Sequence, residues 1–319
     1  MLCTGLLLHS AVRNNTTKLL VHGGKHNVFL CGYELSNFAK KIFHEYDVFF
    51  YTSSIASSRY DFLLVGMHGA CEVKRSFRGK VVYVNGEPER GRQLSRSYYL
   101  GPIQKSSTND FQLFYASVAA LEFDKSVLDS AFAARPKNSG KFFLMYISSR
   151  CVQQRELAFD SLSTLGEVHT GGACHGHVHS KHVNNRQIWK TAHQLYKQQY
   201  KFGLVMENTE TKGYVSEKIL TAFLAGAVPI YWGTSEIFEL FNRKAFVYYD
   251  VQAPHKAIKE VEFLLNDEQA YENMLNEPIL APGAAERFFW RGTQLTDAIR
   301  NFLEIPENSD SNIVTRLYR

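Results

Sequence analysis

Short apolar runs alternate with segments of helical spacing along the first half of the chain, separated by polar turns that contain Gly or Pro. Asn27 to Tyr33 (NVFLCGY) has strand character. From Ser36 to Tyr46, Phe38, Ile42 and Tyr46 recur every four residues, which predicts a helix with one apolar face. Asp47–Tyr51 (DVFFY), Phe62–Val65 (FLLV) and Lys80–Val84 (KVVYV) are continuous apolar runs of strand length, the pattern of parallel strands covered on both faces. The last of these runs into Asn85-Gly86-Glu87-Pro88. Met1 to Val12 is apolar but interrupted by Thr4 and His9, and reads either as a first strand or as the remnant of an anchor.

Arg135-Pro136-Lys137-Asn138-Ser139-Gly140 is polar, carries Pro and Gly, and is the best linker candidate in the chain. Beyond it the pattern restarts, with a strand over Phe142–Ile147 and helices over Val152–Leu165 and Arg186–Gln199. Gly166 to His169 reads as a turn and a strand. Phe202–Met206 (FGLVM) is a strand, followed by a polar loop from Glu207 to Tyr214. Ser216 stands where a helix N-cap belongs, and Ile219, Leu220, Phe223 and Leu224 form one apolar face. Gly226 fits the position that ends such a helix, and Val228–Trp232 (VPIYW) is the next strand. This is a βαβ unit with an expected right-handed crossover. Two α/β halves, residues 1–138 and 139–319, imply two Rossmann-like domains with ligands beyond the carboxyl ends of the strands.

A length of 319 residues suits two domains of ordinary size. Hydrophobic residues make up 45% and charged residues 21%, as in soluble globular proteins. The net charge of +5 suits a small anion, and without a run of like charges it does not call for nucleic acid. The five cysteines are scattered and form no CxxC pair, which excludes a dense disulfide framework and favours a reducing compartment. No stretch of about 18 apolar residues is present, so no membrane span is expected and the reading is soluble and cytoplasmic. If an N-terminal anchor has been lost, the alternative is the Golgi lumen.

The chemistry concentrates in the βαβ unit. A diphosphate favours a helix N-terminus and a nearby cation. Lys218 lies in the first turn of the Ser216 helix, where a cation is unfavourable for the helix itself, and an anionic ligand would account for it. Glu217 can accept from two ribose hydroxyls, and Tyr214 can face a base or a ribose. On spacing alone, a solvated Glu-Lys pair on a surface helix is the simpler reading.

Tyr200-Lys201-Phe202 through Glu207-Asn208, Gly213-Tyr214-Val215-Ser216-Glu217-Lys218-Ile219-Leu220 and Ala225 through Gly233 (AGAVPIYWG) together resemble the donor-binding signature of the α1,3-fucosyltransferase family. The resemblance implies a GT-B fold, α/β with two Rossmann-like domains facing a central cleft. It implies an inverting transfer of L-fucose from GDP-fucose to a hydroxyl of an acceptor glycan such as GlcNAc, with no tightly bound cofactor and no metal. By the same resemblance Arg155, in Ile147–Leu162, and Lys218 contact the diphosphate. Glu207, Asn208, Tyr214, Ser216 and Glu217 complete the donor site. Glu87, in the segment from Val82 to Glu89, matches the family's proposed general base, with Glu89 as the alternative. Pro88 and the residues after Glu89 depart from the family pattern. In that fold class the last helix often returns to the first domain, which the sequence does not show for Thr293–Leu303.

Cys174-His175-Gly176-His177-Val178-His179, with His182 after it, has metal-ligand residue types. It has no second pair at finger spacing, so a solvated loop is expected. Phe288, Phe289 and Trp290 read as core. Two other functions remain open on sequence: a transferase using a different sugar nucleotide, and a catalytically silent GDP-sugar-binding protein.

Overall fold

The computed structural model describes residues 16–20, 26–32, 35–51, 61–67, 73, 77–88, 93, 97–102, 105, 108–172, 174 and 199–306. All but the last residue of the helix expected over Arg186–Gln199, the apolar start of the chain and Glu89 lie outside these residues. The chain forms two compact units. The first comprises residues 1–85, 90–111 and 296–319, and the second comprises 86–89 and 112–295.

The first unit contains β1 (Thr16–Leu20), β2 (Asn27–Cys31), α1 (Ser36–Ile42), β3 (Asp47–Tyr51), β4 (Phe62–Val65), β5 (Lys80–Val84), β6 (Tyr98–Gly101) and most of β7 (Asp110–Gln112). The sheet order is β1-β3-β2-β4-β5-β6-β7. Strands β3, β2, β4, β5 and β6 run parallel, and β1 is antiparallel to β3. The apolar runs are buried on both faces, as their continuity demands: Phe62, Leu63, Leu64 and Val65 are all buried. Helix α1 covers the sheet with Phe38, Ala39 and Ile42. The last helix, α10 (Gln294–Phe302), contributes its residues from 296 onward to this unit. There Arg300 forms a two-point ion pair with Glu45 and also donates to the Ile42 carbonyl.

The second unit holds α2 (Tyr115–Ala120), α3 (Lys125–Ala133), β8 (Phe142–Ser148), α4 (Gln153–Ser163), β9 (Val168–Gly172), β10 (Tyr200–Leu204), α5 (Lys218–Leu224) and β11 (Val228–Tyr231). It continues with α6 (Ile237–Leu240), β12 (Val247–Tyr248), α7 (Pro254–Asn266), α8 (Glu268–Asn276) and α9 (Ala284–Phe288). Its sheet, β12-β11-β10-β8-β9, is parallel throughout. Leu144, Phe202, Leu204, Ile230 and Val247 pack there with Ala158 and Leu162 of α4 and Val261 and Leu264 of α7. Pro229 is tolerated inside β11 because the pairing with β12 begins one residue later, at Ile230, so its missing N–H breaks no rung on that side.

The stretch Arg135–Gly140 is not a free linker. Arg135 donates to the carbonyls of Ala227 and Ala245 and lies over the Phe223 ring, while Asn138 donates to those of Tyr200 and Ala225. Gly226, at the end of α5, has φ +77°, and a side chain there would overlap the Pro136 carbonyl. These bonds join residues 112–138, which the sequence pattern assigns to the first half, to the second unit. The compact units therefore divide near residue 111 rather than at 138. Phe289 and Trp290 are buried as expected.

Candidate functional site

In the strand order of the second sheet the chain reverses between β8 and β10, where the sheet grows in opposite directions on either side. In open parallel sheets of this order the crevice beyond the carboxyl ends of these two strands is the ligand site. Arg155, from the first turn of α4, is only 3% exposed and bridges both strand ends. Its Nε donates to the Met206 carbonyl after β10 at 2.9 Å. Nη1 donates to Ser148 Oγ at 3.0 Å, at the last residue of β8, and to the Arg150 carbonyl at 3.1 Å, just after it. Nη2 donates to Asn208 Oδ1. A planar, permanently charged fork is thus fixed in orientation by neutral acceptors.

Lys218 opens α5. Its ammonium donates to Glu207 Oε2 at 2.9 Å and to Ser216 Oγ at 2.8 Å, and lies 5.8 Å from the centre of the Tyr214 ring. Glu207 is fully buried, and besides Lys218 its carboxylate accepts from the Ser216 amide, the Ser216 hydroxyl and the Tyr231 hydroxyl. Its oxygens thus hold Ser216 and Lys218 in place. Burial alone would lower the Lys218 pKa, but Glu207 and Glu217 outweigh it and hold the ammonium above the ordinary lysine range. Arg155 opposes them, so the two cations sense one another.

Glu217 is pushed up by desolvation and pulled back in part by Lys218, with Glu207 and Glu87 adding to the rise. The Tyr214 phenol is raised chiefly by burial, and the charge of Glu87 acts on it too. Glu87, exposed, therefore shares the electrostatic neighbourhood of Tyr214 and Glu217. The preceding Gly86 is buried against the Tyr115 ring so closely that a Cβ would overlap it. Tyr115 begins α2, which is anchored to the α5 approach by the Ala116 amide donating to the Val215 carbonyl.

Two expectations are corrected. Ser216 is not the residue immediately flanking the helix, which begins at Lys218 with Glu217 before it. The Ser216 hydroxyl donates to Glu207 and accepts from the Lys218 side chain at 2.8 Å, with the Lys218 amide at 3.5 Å. The buried carboxylate outcompetes the capping role. Cys174 is not a free thiol but forms a disulfide with Cys151, and Cys31 is disulfide-bonded as well. The parallel ends of β8 and β9 bring together these residues, 23 apart, a pairing that cysteine spacing did not suggest. The remainder of the Cys-His segment lies outside the described residues. Among the described residues no helix is long and apolar enough to cross a membrane.

Glu236, which sequence reasoning missed, ties three segments together. It accepts from the Gly213 amide, from Thr234 Oγ1 at 3.2 Å and from Gln112 Nε2 at 3.1 Å. Two of its partners are distant in sequence, so no local signal could have revealed it.

Residues 137–276 match the family model described as glycosyltransferase family 10 (fucosyltransferase) C-term. The alpha-(1,3)-fucosyltransferase FucT of Helicobacter pylori is 32% identical over 155 residues, covering 48% of this chain and 31% of its own length. The alpha-(1,4)-fucosyltransferase of Arabidopsis thaliana is 28% identical over 170 residues, covering 49% of this chain and 39% of its own. The chain thus spans about a third of the length of the curated relatives it matches. In three dimensions it is similar to a crystal structure of an α1,3-fucosyltransferase with GDP, with a TM-score of 0.63 at 19% identity over 89% of this chain and 92% of that one. A structure of an α1,3-fucosyltransferase with GDP-fucose gives a TM-score of 0.62 at 18% identity, covering 89% of this chain and 92% of that one. At these identities the likeness speaks for the α/β, GT-B type fold.

Proposed function

We propose that the chain, whose residues 137–276 match the family model described as glycosyltransferase family 10 (fucosyltransferase) C-term, moves L-fucose from GDP-fucose to a hydroxyl of an acceptor glycan such as GlcNAc, with inversion. The observation that carries this reading is the placement of two cations on the consecutive residues that follow β10: Arg155 donates to the Met206 carbonyl and to Asn208, and Lys218 donates to Glu207 between them. Such a pair can stabilise a diphosphate as its charge grows on departure.

In this reading the Arg155 fork and the Lys218 ammonium take the diphosphate. Tyr214 and Glu217 take the base and ribose, and Asn208, oriented by Arg155, takes the fucosyl side. Glu207 and Ser216 hold Lys218. The Glu87 carboxylate removes the proton from the acceptor hydroxyl. The hydroxyl oxygen forms a bond to the anomeric carbon as the bond to the β-phosphate oxygen breaks, and that bond's electron pair leaves with GDP. Base catalysis supplies roughly 10²–10⁴-fold, and positioning and charge stabilisation supply the rest.

Steady-state transfer and calorimetry on Glu87→Gln test this reading. GDP-fucose binding should be kept and transfer reduced by about 10²–10⁴-fold. Transfer at the parental rate would move the base elsewhere, Glu89 being next in line. An acceptor array with GDP-fucose and GDP-mannose tests the donor, and transfer from GDP-mannose alone would overturn it.

A further inference from the structure

We propose that the Cys151–Cys174 disulfide is a positioning cross-link for Arg155, so that reducing it weakens guanine-nucleotide binding; this rests on the reading that Arg155 contacts the diphosphate.

The disulfide sits in the turn that orients the arginine. Between β8 and α4, the Arg150 carbonyl accepts from Ser148 Oγ at 2.9 Å, from the Val152 amide at 3.1 Å and from Arg155 Nη1 at 3.1 Å. Ser148 Oγ accepts from Arg155 Nη1 at 3.0 Å and from the Arg150 amide at 3.3 Å. Two of the four acceptors that aim the guanidinium thus lie at the end of β8 and in the turn that follows it, which contains Cys151. The turn has few other anchors: Arg150 and Cys151 are exposed, and the residue flanking α4, Val152, makes no side-chain cap.

Its fixed point is the end of β9. Gly172 has φ +87° and comes so close to Ser148 that a Cβ would overlap the Ser148 carbonyl, an approach open only to glycine. Two residues on, buried Cys174 makes the covalent tie to Cys151. The cross-link therefore fastens the Arg155 turn to the neighbouring strand end. With it cut, the turn loses its covalent tie to the end of β9, and the Ser148 hydroxyl and Arg150 carbonyl that accept from Arg155 are held only by the pairing of Ser148 with Gly172 and by the turn's own hydrogen bonds.

Cys151 is exposed, so its sulfur is open to attack by a thiolate. A dithiol reductant donates two electrons and two protons, yielding the Cys151 and Cys174 thiols while the reductant closes to its own disulfide. Donor binding and this reduction are linked and reciprocal. If reduction weakens GDP binding tenfold, bound GDP disfavours reduction tenfold.

The test is calorimetric titration with GDP on four forms: the oxidised parent, the parent reduced by a dithiol, Cys151→Ser/Cys174→Ser, and Arg155→Lys with and without reductant. The double serine variant isolates this bridge from the one involving Cys31. Expected are GDP binding by the oxidised parent, about tenfold weaker binding by the reduced parent and by the serine variant, and no further loss on reducing Arg155→Lys. A melting temperature that falls while GDP affinity stays at the oxidised value would show a merely structural bridge and overturn the proposal. An equal loss in the Arg155→Lys background would overturn the route through Arg155. Failure of the oxidised parent to bind GDP would refute the donor reading itself, and this inference with it.

Discussion

Replacing Glu207 with alanine removes one acceptor group shared by four donors: the Ser216 amide at 2.7 Å, the Ser216 hydroxyl at 2.8 Å, the Lys218 ammonium at 2.9 Å and the Tyr231 hydroxyl at 3.4 Å. The glutamate side chain is 0% exposed and that of Lys218 25%. Removing one partner of a buried ion pair costs about 3–5 kcal/mol, because the remaining charge is left uncompensated. An orphaned Ser216 amide adds about 1–3 kcal/mol. Partial access of Lys218 to water returns some of this, so we expect about 3–5 kcal/mol in total. In a domain of this size that lowers the melting temperature by about 6–20 °C. Trp232 and Trp290 are buried in the second unit, so fluorescence-detected melting reports on the right transition. Glu207→Gln keeps an oxygen for the Ser216 amide but removes the charge, and should fall between parent and alanine variant. Both variants should bind GDP more weakly, since the Lys218 ammonium is no longer held in place. Melting of Glu207→Ala within about 2 °C of the parent, or unchanged GDP affinity, would refute the reasoning.

Two further outcomes follow from the geometry. Burial raises the Glu45 pKa, but Arg300, helped by a backbone hydrogen bond and by His44, more than offsets this and holds it below its ordinary value of 4.5. Its contribution to stability is therefore present above about pH 4.5 and lost as pH falls through the lowered pKa. Glu45→Gln should flatten the acid limb of the stability profile, measured by denaturant unfolding across pH 3–7, and an unchanged limb would count against the pair. Gly86→Ala forces the Tyr115 ring or the Glu87 backbone to move. Its kcat should drop roughly 10–10²-fold at unchanged GDP affinity, and steady-state kinetics beside calorimetry check this.

Local chemistry was legible from residue order. Runs such as FLLV and KVVYV read as buried strands, and Gly226 marked the end of α5, because both depend on neighbours within a few residues. The three-block resemblance around Glu207, Tyr214–Lys218 and Ala225–Gly233 pointed to the proposed donor region for the same reason. The boundary between units was not legible. Arg135-Pro136 looks like a linker until the carbonyls of Ala227 and Ala245 are placed beside it.

By itself, then, the sequence determined the alternation of strands and helices and the residue types available at the βαβ turn, since hydrophobic period and helix-end chemistry are properties of short segments. Only the tertiary structure decided what those residues hold. Arg155 finds its acceptors 51 and 53 residues away, and Cys151 meets Cys174, because the strand order β12-β11-β10-β8-β9 brings distant strand ends to one edge. Such contacts are set by strand order, and nothing in the spacing of residues along a chain encodes which strand lies next to which.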